Sequence, residues 1–358
     1  LRDAYQREGY TVIGAALSAR AAAELQSGAG IPSQTIHRII SILDAGRPLL
    51  DDRTVLVVDE AAMVGTRHLA RLIDAAHHTR AKLILVGDPR QLPEIDAGGT
   101  FAAIARRIPP VTLTENRQTD PNQRAALTAL RHVDIDQALS KLERAQNLTT
   151  GPDTDTVRTA LVADWHAAVT ARQHAIMLAS RRGDVTDLNQ RARQQLRLAE
   201  TLGPPVWHND STSFSIGERV IAHRNRHDLD LLNGQHATVT GATDATLTVR
   251  TGAGASISLP NRYIDAGYLT HGYALTVHKA QGMTCDAAYF LGDDSLFNEL
   301  AYTGLSRGRH TNHLYTVAAR DDHHRLLADP HTHLRRTLGA SRAKTAAIDT
   351  SIDGPSLP

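Results

Sequence analysis

The sequence contains a single cysteine, Cys285, and almost no net charge. One cysteine excludes an internal disulfide framework and any metal site built from several thiolates, and it suits a reducing cytoplasm. No run of about 20 apolar residues is present, so the sequence predicts neither a membrane-spanning helix nor a secretory signal. The 39 basic and 38 acidic residues give a charge of +1. Bulk charge therefore does not predict a nucleic-acid partner, and any such binding must come from a local groove.

The 358 residues are enough for two domains with room for a small third. Short, continuous apolar runs alternate with segments of helical periodicity, a pattern typical of parallel strands covered on both faces. This predicts an α/β fold with two parallel sheets. The predicted strands are Thr11–Leu17, Val55–Val58, Leu83–Val86 and Val111–Leu113 in the first half, and Ala175–Ala179, Ala287–Leu291 and His313–Val317 in the second.

The residue pattern changes at 214–263, a segment that interrupts the second half of the chain. It contains short alternating strands separated by turn signals such as Asn233-Gly234, which predicts a small inserted antiparallel barrel. The expected boundaries are 1–118 for the first domain, 119–210 together with 264–330 for the second, 211–263 for the barrel and 331–358 for a C-terminal tail.

Two adjacent acids, Asp59 and Glu60, follow the apolar run Val55–Val58. Open α/β sheets bind ligands at the carboxyl ends of their strands, where one carboxylate can hold hydrated Mg²⁺ and the other can activate water for phosphoryl transfer. The alternative is an acidic helix N-terminus favoured by the helix dipole. The next apolar run ends similarly, in a segment that contains Gln91. Its amide can sense a phosphate or an attacking water, although Asp88-Pro89 alone would indicate a turn.

A polar cluster follows the apolar run that begins at Tyr273, and its spacing suits contacts with phosphates. The cluster contains Thr276, His278, Lys279, Gln281 and Thr284. The alternative is a strand that passes into a polar helix start. Arg117 and Arg307 have the chemistry to stabilise charge on a transferred phosphate, but without further context each is better interpreted as one surface arginine among 39 basic residues.

Taken in chain order, these segments resemble the conserved motifs of superfamily-one DNA helicases of the RecD-like branch. The similarity extends over nearly all of residues 1–320 and is greatest to the helicase portion of MobF-class conjugative relaxase-helicases. The matching segments are 16–23 (motif Ia), 33–38 (a strand-contact motif), 59–63 (II), 87–93 (III), the region of Arg117 (IV), 275–284 (V) and 302–309 (VI). The resemblance implies two RecA-like P-loop NTPase domains and an SH3-like insertion.

The resemblance also implies roles for individual residues, with ATP and Mg²⁺ as cofactors and single-stranded DNA as partner. Asp59 would coordinate Mg²⁺, Glu60 would activate water and Gln91 would sense the γ-phosphate. Arg117 and Arg307 would stabilise charge, and Lys279 and Gln281 would contact the nucleotide. The implied DNA contacts are Ser18, Arg20, Thr35, His37, Thr276, His278 and Thr284. Movement in this branch is typically 5′ to 3′.

The sequence departs from the family in one respect, because it contains no G-x-x-x-x-G-K-[ST] phosphate-binding loop. The resemblance therefore leads us to expect a truncation at Leu1, inside the first helix, with a relaxase domain further upstream and the conjugation machinery as a partner. It also predicts little or no ATPase activity for these 358 residues alone. Two alternatives remain open: a shortened protein that binds single-stranded DNA or a partner without hydrolysis, and a RecD-like repair or RNA-acting helicase.

Overall fold

Two parallel sheets organise the computed structural model, one in each of two units of the chain. The first unit comprises Leu1–Glu115 and Arg342–Pro358, and the second comprises Asn116–Ser341. The structure describes residues 1–94, 96–113, 120–209, 212–320, 325–327, 329–346 and 349. Among these residues, no helix has both the length and the apolar character needed to cross a bilayer.

The first unit alternates strands and helices. Its strands are β1 (Thr11–Ala16), β2 (Ser33–Thr35), β3 (Thr54–Val58) and β4 (Lys82–Leu85). Its helices are α1 (Arg2–Arg7), α2 (Ala19–Ala29), α3 (Ile36–Asp44), α4 (Thr66–Thr79) and α5 (Thr100–Arg107). The strands lie in the order β2-β1-β3-β4, and every pair is parallel.

Strand β3 is buried along its whole length, as its continuous apolar run predicts. Leu56 and Val58 pack on one face of the sheet with residues of α3 and α4. Val55 and Val57 pack on the other face in a second cluster. Because side chains alternate between the two faces of a strand, both faces must be covered for all five residues to be buried.

The prediction of a strand at Val111–Leu113 was wrong. These residues form no strand, and the side chains of Val111 and Leu113 are 94% and 85% exposed. The preceding Pro109 and Pro110 have no N–H to donate to a ladder. Strand β4 is the outermost strand of its sheet within the described residues, and no further described strand pairs with its free edge. An apolar run therefore became a strand only where a paired neighbour was present.

The second unit has a larger parallel sheet and an antiparallel insertion. Its strands are β5 (Leu148–Gly151), β6 (Ala175–Ala179), β7 (Pro205–His208), β8 (Ser213–Ser215), β9 (Arg219–Ala222), β10 (His236–Ala242), β11 (Thr246–Thr251), β12 (Ser256–Pro260), β13 (Leu269–His271), β14 (Ala274–Thr276), β15 (Cys285–Leu291) and β16 (Gly308–Val317). Its helices are α6 (Pro121–Arg131), α7 (Ile135–Arg144), α8 (Thr154–Thr170), α9 (Arg182–Leu198), α10 (Asn261–Asp265), α11 (Val277–Ala280), α12 (Asn298–Gly304) and α13 (Thr332–Gly339).

The parallel sheet of this unit has the order β14-β6-β15-β16-β5. Helices α8 and α9 pack against it through a buried core that contains Trp165, Leu161 and Leu188. The insertion, which we call the inserted sheet, has the antiparallel order β12-β11-β10-β9-β13 and its own core around Phe214. These findings confirm the predicted α/β class with an antiparallel insertion.

A buried ionic network joins the inserted sheet to α9. The side chain of Glu218 has no exposed surface, and its carboxylate accepts hydrogen bonds from the guanidinium of Arg193, from Nε2 of His271 (3.1 Å) and from the backbone N–H of Ser215 (3.0 Å). Burial alone would raise the pKa of Glu218, but the hydrogen bonds from His271 and Arg193 outweigh burial and lower the pKa. The carboxylate is therefore ionised and fully partnered.

Residues near the C-terminus pack within the two units. Helix α13 buries Leu334 and Leu338 in the second unit, so the segment expected to be a tail begins with an ordered helix. Further on, Lys344 donates to the backbone oxygen of Asp96 in the first unit. A Cβ on Gly99 would lie 2.5 Å from the backbone nitrogen of Ala346, so only glycine allows this close approach.

Candidate nucleotide and nucleic-acid sites

The two adjacent acids lie at the carboxyl end of β3. The carboxylate of Asp59 accepts a hydrogen bond from the backbone N–H of Glu60 (2.9 Å), and both side chains are half-buried. Glu60 has a φ of +50°, in the left-handed region that non-glycine residues seldom occupy. Such a conformation costs on the order of 1–3 kcal/mol and is often found at functional sites. The local backbone thus sets the directions of two neighbouring carboxylates.

The segment after β4 is hydrogen-bonded to, and closely packed against, the segment that carries these acids. The backbone N–H of Ala61 donates to the oxygen of Val86 (2.8 Å), and a Cβ on Gly87 would lie 2.9 Å from the backbone nitrogen of Ala62. Gly87 is therefore required by close packing of the two segments. Downstream, Oε1 of Gln91 is buried and has no hydrogen-bond partner among the described residues. An unpartnered buried acceptor is costly, which indicates a position that a donor such as bound water completes.

These residues fit a magnesium–nucleotide complex better than a free metal ion. The described residues contain no cluster of three or more His, Cys, Asp or Glu side chains that could hold a metal. Mg²⁺ commonly takes one or two protein carboxylates and completes its shell with water and phosphate oxygens. Asp59 supplies one such carboxylate, and Glu60 beside it is left for the attacking water.

Three of the candidate DNA-contacting hydroxyls share one local structure. Ser18, Thr35 and Thr276 each follow or end a parallel strand and cap the next helix. Each side-chain oxygen accepts from a backbone N–H in the first helical turn, at 3.0 Å for Ser18, 3.1 Å for Thr35 and 3.4 Å for Thr276. Capping uses the hydroxyl as an acceptor and leaves its O–H able to donate to a phosphate. The capping role and the DNA-contacting role are therefore compatible.

Two other candidate DNA-contacting residues in the first unit interact with neighbouring side chains. Arg20 forms an ion pair with Glu24 at 2.8 Å on the surface of α2. The exposed ring of His37 lies edge-on to that of His68, with 5.7 Å between their centroids. Both lie beside the capping hydroxyls, His37 being two residues after Thr35.

In the second unit, the predicted polar cluster is divided between two edges of the sheet. Thr276 pairs with Ala179 at the carboxyl end of β6, whereas Cys285 pairs with Gly308 at the amino end of β16. The intervening segment therefore runs back across the sheet. His278 and Lys279 lie near the carboxyl edge beside Thr276, and the exposed Thr284 lies near the amino edge.

Arg307 lies at that amino edge, next to the segment that carries Gln281. Arg307 is 7% exposed and donates to the backbone oxygen of Thr303 (2.9 Å), to that of Met283 (3.4 Å) and to Oγ of Ser306 (2.7 Å). Both polar atoms of the Gln281 amide are buried without a hydrogen-bond partner among the described residues. The structure thus places Arg307 against the segment that follows Gln281. Arg117 lies outside the described residues.

Buried amides hold the segment that follows Arg307. The side chain of Asn312 accepts from the backbone N–H of Gly308 (2.7 Å) and donates to Oε1 of Gln123 (3.1 Å). The Gln123 amide in turn donates to the backbone oxygen of His310 (3.0 Å). Sequence reasoning missed this network, since Gln123 and Asn312 are remote in sequence.

A groove of about 710 Å³ opens at the carboxyl edge of the second unit, between α9, the inserted sheet and β14. Thr276 and Lys279 line it together with Arg182 and His223, neither of which we predicted. Arg182 follows the predicted strand Ala175–Ala179, so the reasoning that identified Asp59 could have identified it. No sequence signal connects His223 with Lys279.

Comparisons with known proteins identify a matching family model and several similar proteins. A protein-family model described as an AAA domain matches residues 1–153. Over 321 residues the chain is 34% identical to the conjugal transfer protein TraA of Rhizobium radiobacter, a match that covers 88% of this chain and 29% of TraA. Over 314 residues it is 27% identical to the RecBCD enzyme subunit RecD of Mycolicibacterium smegmatis, covering 78% of this chain and 54% of RecD.

The chain spans less than a third of the length of TraA and about half that of RecD. Among solved structures, that of Bacteroides Pif1 bound to ssDNA is similar with a TM-score of 0.55 and 17% identity, covering 87% of this chain and 84% of that chain. This likeness concerns the fold.

Proposed function

Because the chain is related to the RecD-like helicases of superfamily one, we propose that it is the motor core of an ATP-dependent helicase that moves 5′ to 3′ on single-stranded DNA during conjugative transfer. The similarity to TraA over 88% of the chain supports the conjugative role, with a relaxase domain and the transfer machinery as partners. The observation that carries the proposal is the arrangement of Asp59, Glu60 and Gln91 after two adjacent parallel strands.

In the first unit, each of these residues has a separate task. Bound ATP with Mg²⁺ supplies the phosphoanhydride bond whose hydrolysis drives movement. Asp59 would hold the hydrated metal, and Glu60 would accept the proton of the attacking water. The unpartnered Oε1 of Gln91 accepts a hydrogen bond from that water and orients it.

In the second unit, Arg307 and Gln281 are proposed as nucleotide contacts, as the resemblance implies. Arg307 supplies positive charge for the transferred phosphate, and its position is maintained by the hydrogen bonds to Thr303 and Met283. Arg117 is proposed for the same task on sequence grounds.

Single-stranded DNA is proposed to lie along the carboxyl edges of the strands. Ser18, Thr35 and Thr276 donate their hydroxyls to phosphates, and the neighbouring Arg20, His37 and His278 add further contacts. Thr284, which lies near the amino edge, is proposed as a DNA contact on the resemblance alone. Such contacts grip the backbone without reading sequence, which suits a near-neutral chain whose affinity comes from local grooves.

These 358 residues contain no G-x-x-x-x-G-K-[ST] phosphate-binding loop, and none of their four lysines is preceded by glycine. We therefore propose that the chain binds single-stranded DNA but turns over little ATP by itself. The alternative of a binding protein that never hydrolyses ATP shares this expectation.

The test measures ATP turnover with and without an oligothymidylate, for the wild-type chain and for Glu60→Gln, alongside DNA binding by fluorescence anisotropy. We expect DNA binding in both proteins and turnover close to background in both. Robust DNA-stimulated turnover that Glu60→Gln abolishes would contradict the proposed deficiency and support the catalytic role of Glu60. Absence of DNA binding would refute the motor-core proposal.

A further inference from the structure

Residues 342–346 and 349, which we call the strap, pack on the first unit beside Gln91. The Lys344 ammonium donates a hydrogen bond to the backbone oxygen of Asp96. Ala343 and Lys344 also line a cavity of about 30 Å³ together with Gln91. The strap therefore forms part of the wall around the residue that is proposed to orient the attacking water.

The strap also contacts the end of the segment that carries Gln91. The backbone N–H of Gly99 donates to the buried carboxylate of Glu94, so the segment is closed by its own side chain. The strap residue Ala346, which is 5% exposed, lies against the same glycine. Loss of the strap would expose this part of the segment to water and make it easier to open.

An ion pair joins the strap to α5. The Asp349 carboxylate contacts the guanidinium groups of Arg106 and Arg107, with a distance of 2.7 Å to the second. Hydrogen bonds from Arg107 and Arg106 lower the pKa of Asp349, so this carboxylate is ionised at neutral pH. The two arginine side chains are 57% and 46% exposed, so dissolved salt screens the attraction. Docking of the strap should therefore depend on ionic strength.

Apolar burial contributes little to the docking of the strap. Ala346 is the single buried residue among the described residues of the strap, and its side chain is one methyl group. Segments with little buried apolar surface open at a free-energy cost far below that of global unfolding. Release of the strap is therefore compatible with a first unit that stays folded.

A very short connector joins the strap to a segment held in the second unit. The backbone oxygen of Ala340 accepts from the N–H of Asn298 (2.8 Å), and Oγ of Ser341 donates to the carboxylate of Glu299. Asn298 and Glu299 are the first residues of α12. Two residues separate Ser341 from Lys344. A short connector keeps a tethered segment at high effective concentration, so weak contacts are sufficient to dock the strap.

We propose that the strap is a conformational switch, which holds the segment that carries Gln91 in place while it is docked and lets that segment move when it is released. Through its connector the strap also ties this segment to α12, the helix that precedes Arg307. The task assigned to Gln91 rests on the proposed function. Docking and release of the strap need neither ATP nor DNA, so failure of the experiments below is distinguishable from failure of the proposed function.

The first experiment measures release of the strap as the reaction rate of a thiol introduced by Ala346→Cys. The wild-type chain gives the background, since its Cys285 is buried. We expect slow labelling that becomes faster as NaCl screens the ion pair. Addition of Asp349→Asn should raise the low-salt rate by roughly two- to fivefold and flatten the salt dependence. Asp44→Asn is the matched control and should leave the rate unchanged, since it removes the acid of another exposed ion pair of the first unit, with Arg71.

A second variant tests the connector without changing a strap contact. Insertion of Gly-Ser-Gly-Ser between Arg342 and Ala343 lengthens the connector from two residues to six. The effective concentration of a tethered segment falls roughly as the −3/2 power of the tether length, so we expect labelling to become about fivefold faster. An unchanged rate would contradict the tie to α12.

The second experiment measures hydrogen–deuterium exchange in chains that lack the introduced thiol. We expect Asp349→Asn and the insertion each to speed exchange severalfold in peptides from residues 88–104, because release of the strap loosens the segment that carries Gln91. Peptides from β3 should stay protected, which verifies that the first unit is folded. Asp44→Asn should change neither set of peptides.

Three outcomes would overturn the switch. The first is labelling that responds to neither salt nor Asp349→Asn, because the ion pair would then not hold the strap. The second is faster labelling with unchanged exchange in residues 88–104, because the strap would then move without the segment that carries Gln91. The third is loss of protection in β3 together with residues 88–104, because the unit would then unfold as a whole.

Discussion

Removing the buried carboxylate of Glu218 should destabilise the second unit far more than removing an exposed one. Glu218→Ala deletes three charge-assisted hydrogen bonds and leaves Arg193 and His271, with side chains only 16% and 15% exposed, beside a cavity. Removal of one partner from a buried ion pair typically costs about 3–5 kcal/mol, because the remaining charge is not solvated. A domain of this size loses about 2–4 °C of melting temperature per kcal/mol, so we expect a decrease of about 10 °C.

The assay is urea or thermal unfolding followed by tryptophan fluorescence. Both tryptophans of the sequence, Trp165 and Trp207, lie in the second unit, so the signal reports this unit alone. Asp155→Ala is the control, since it removes an acid that is 79% exposed and paired with Arg191. An exposed pair contributes about 1 kcal/mol or less. Equal losses of stability in the two variants would refute the reasoning.

The same network predicts a pH dependence with a definite sign. The pKa of Glu218 is lower in the folded protein than in the unfolded chain, so the unfolded chain binds the proton more readily. The stabilisation is therefore complete above the unfolded pKa of about 4.5 and decreases as pH falls through the folded pKa. Glu218→Gln should remove this acid-dependent component while it retains part of the hydrogen bonding.

Three other measurements test separate features. The buried Cys285 thiol, whose pKa burial raises to about 12, should react with a thiol reagent at pH 8 only after unfolding, and rapid labelling of the native protein would contradict its placement. Gly308→Ala should lower the unfolding free energy by about 2 kcal/mol or more, because a Cβ there meets backbone atoms. Gly252→Ala is the control and should change the unfolding free energy little, because a Cβ there meets open space. Similar effects of the two substitutions would be inconsistent with the packing. Since the pKa of His223 is about 4 when folded and 6.5 when unfolded, stability should decline by about 1–2 kcal/mol as pH falls across this window. His223→Gln should flatten that decline in pH-dependent urea titrations, and an unchanged profile would count against the neutral ring.

The features that the sequence predicts are those with a local cause. The run before Asp59 is apolar at every position, which predicts both a doubly covered strand and the placement of the acid at its end. Strands β9 to β12 of the inserted sheet were predictable in the same way, because turn residues and alternating strands lie within one short segment. Strand β13, which pairs with β9, lies outside the predicted bounds.

What the sequence could not predict depends on pairing between distant segments. Val111–Leu113 has the composition of a strand, but its conformation depends on a neighbour that no local pattern identifies. The contact of His223 with Lys279 and that of Gln123 with Asn312 join residues 56 and 189 positions apart. Polar side chains of this kind have no periodicity that would indicate a partner, so only the folded arrangement shows which ones act together.

The packing of Ala346 against Gly99 has a consequence for how the chain is divided in experiments. Because Arg342–Pro358 belongs to the first unit, the backbone passes between the units twice, after Glu115 and after Ser341. A fragment that ends at residue 115 would leave the surface around Gly99 uncovered and would lack the hydrogen bond from Lys344. Proteolytic cleavage after Glu115 alone, by contrast, would leave Ala346 packed against Gly99, so the two segments of the first unit would stay associated. A recombinant version of that unit therefore needs the last residues joined back to it, for example by a short flexible linker.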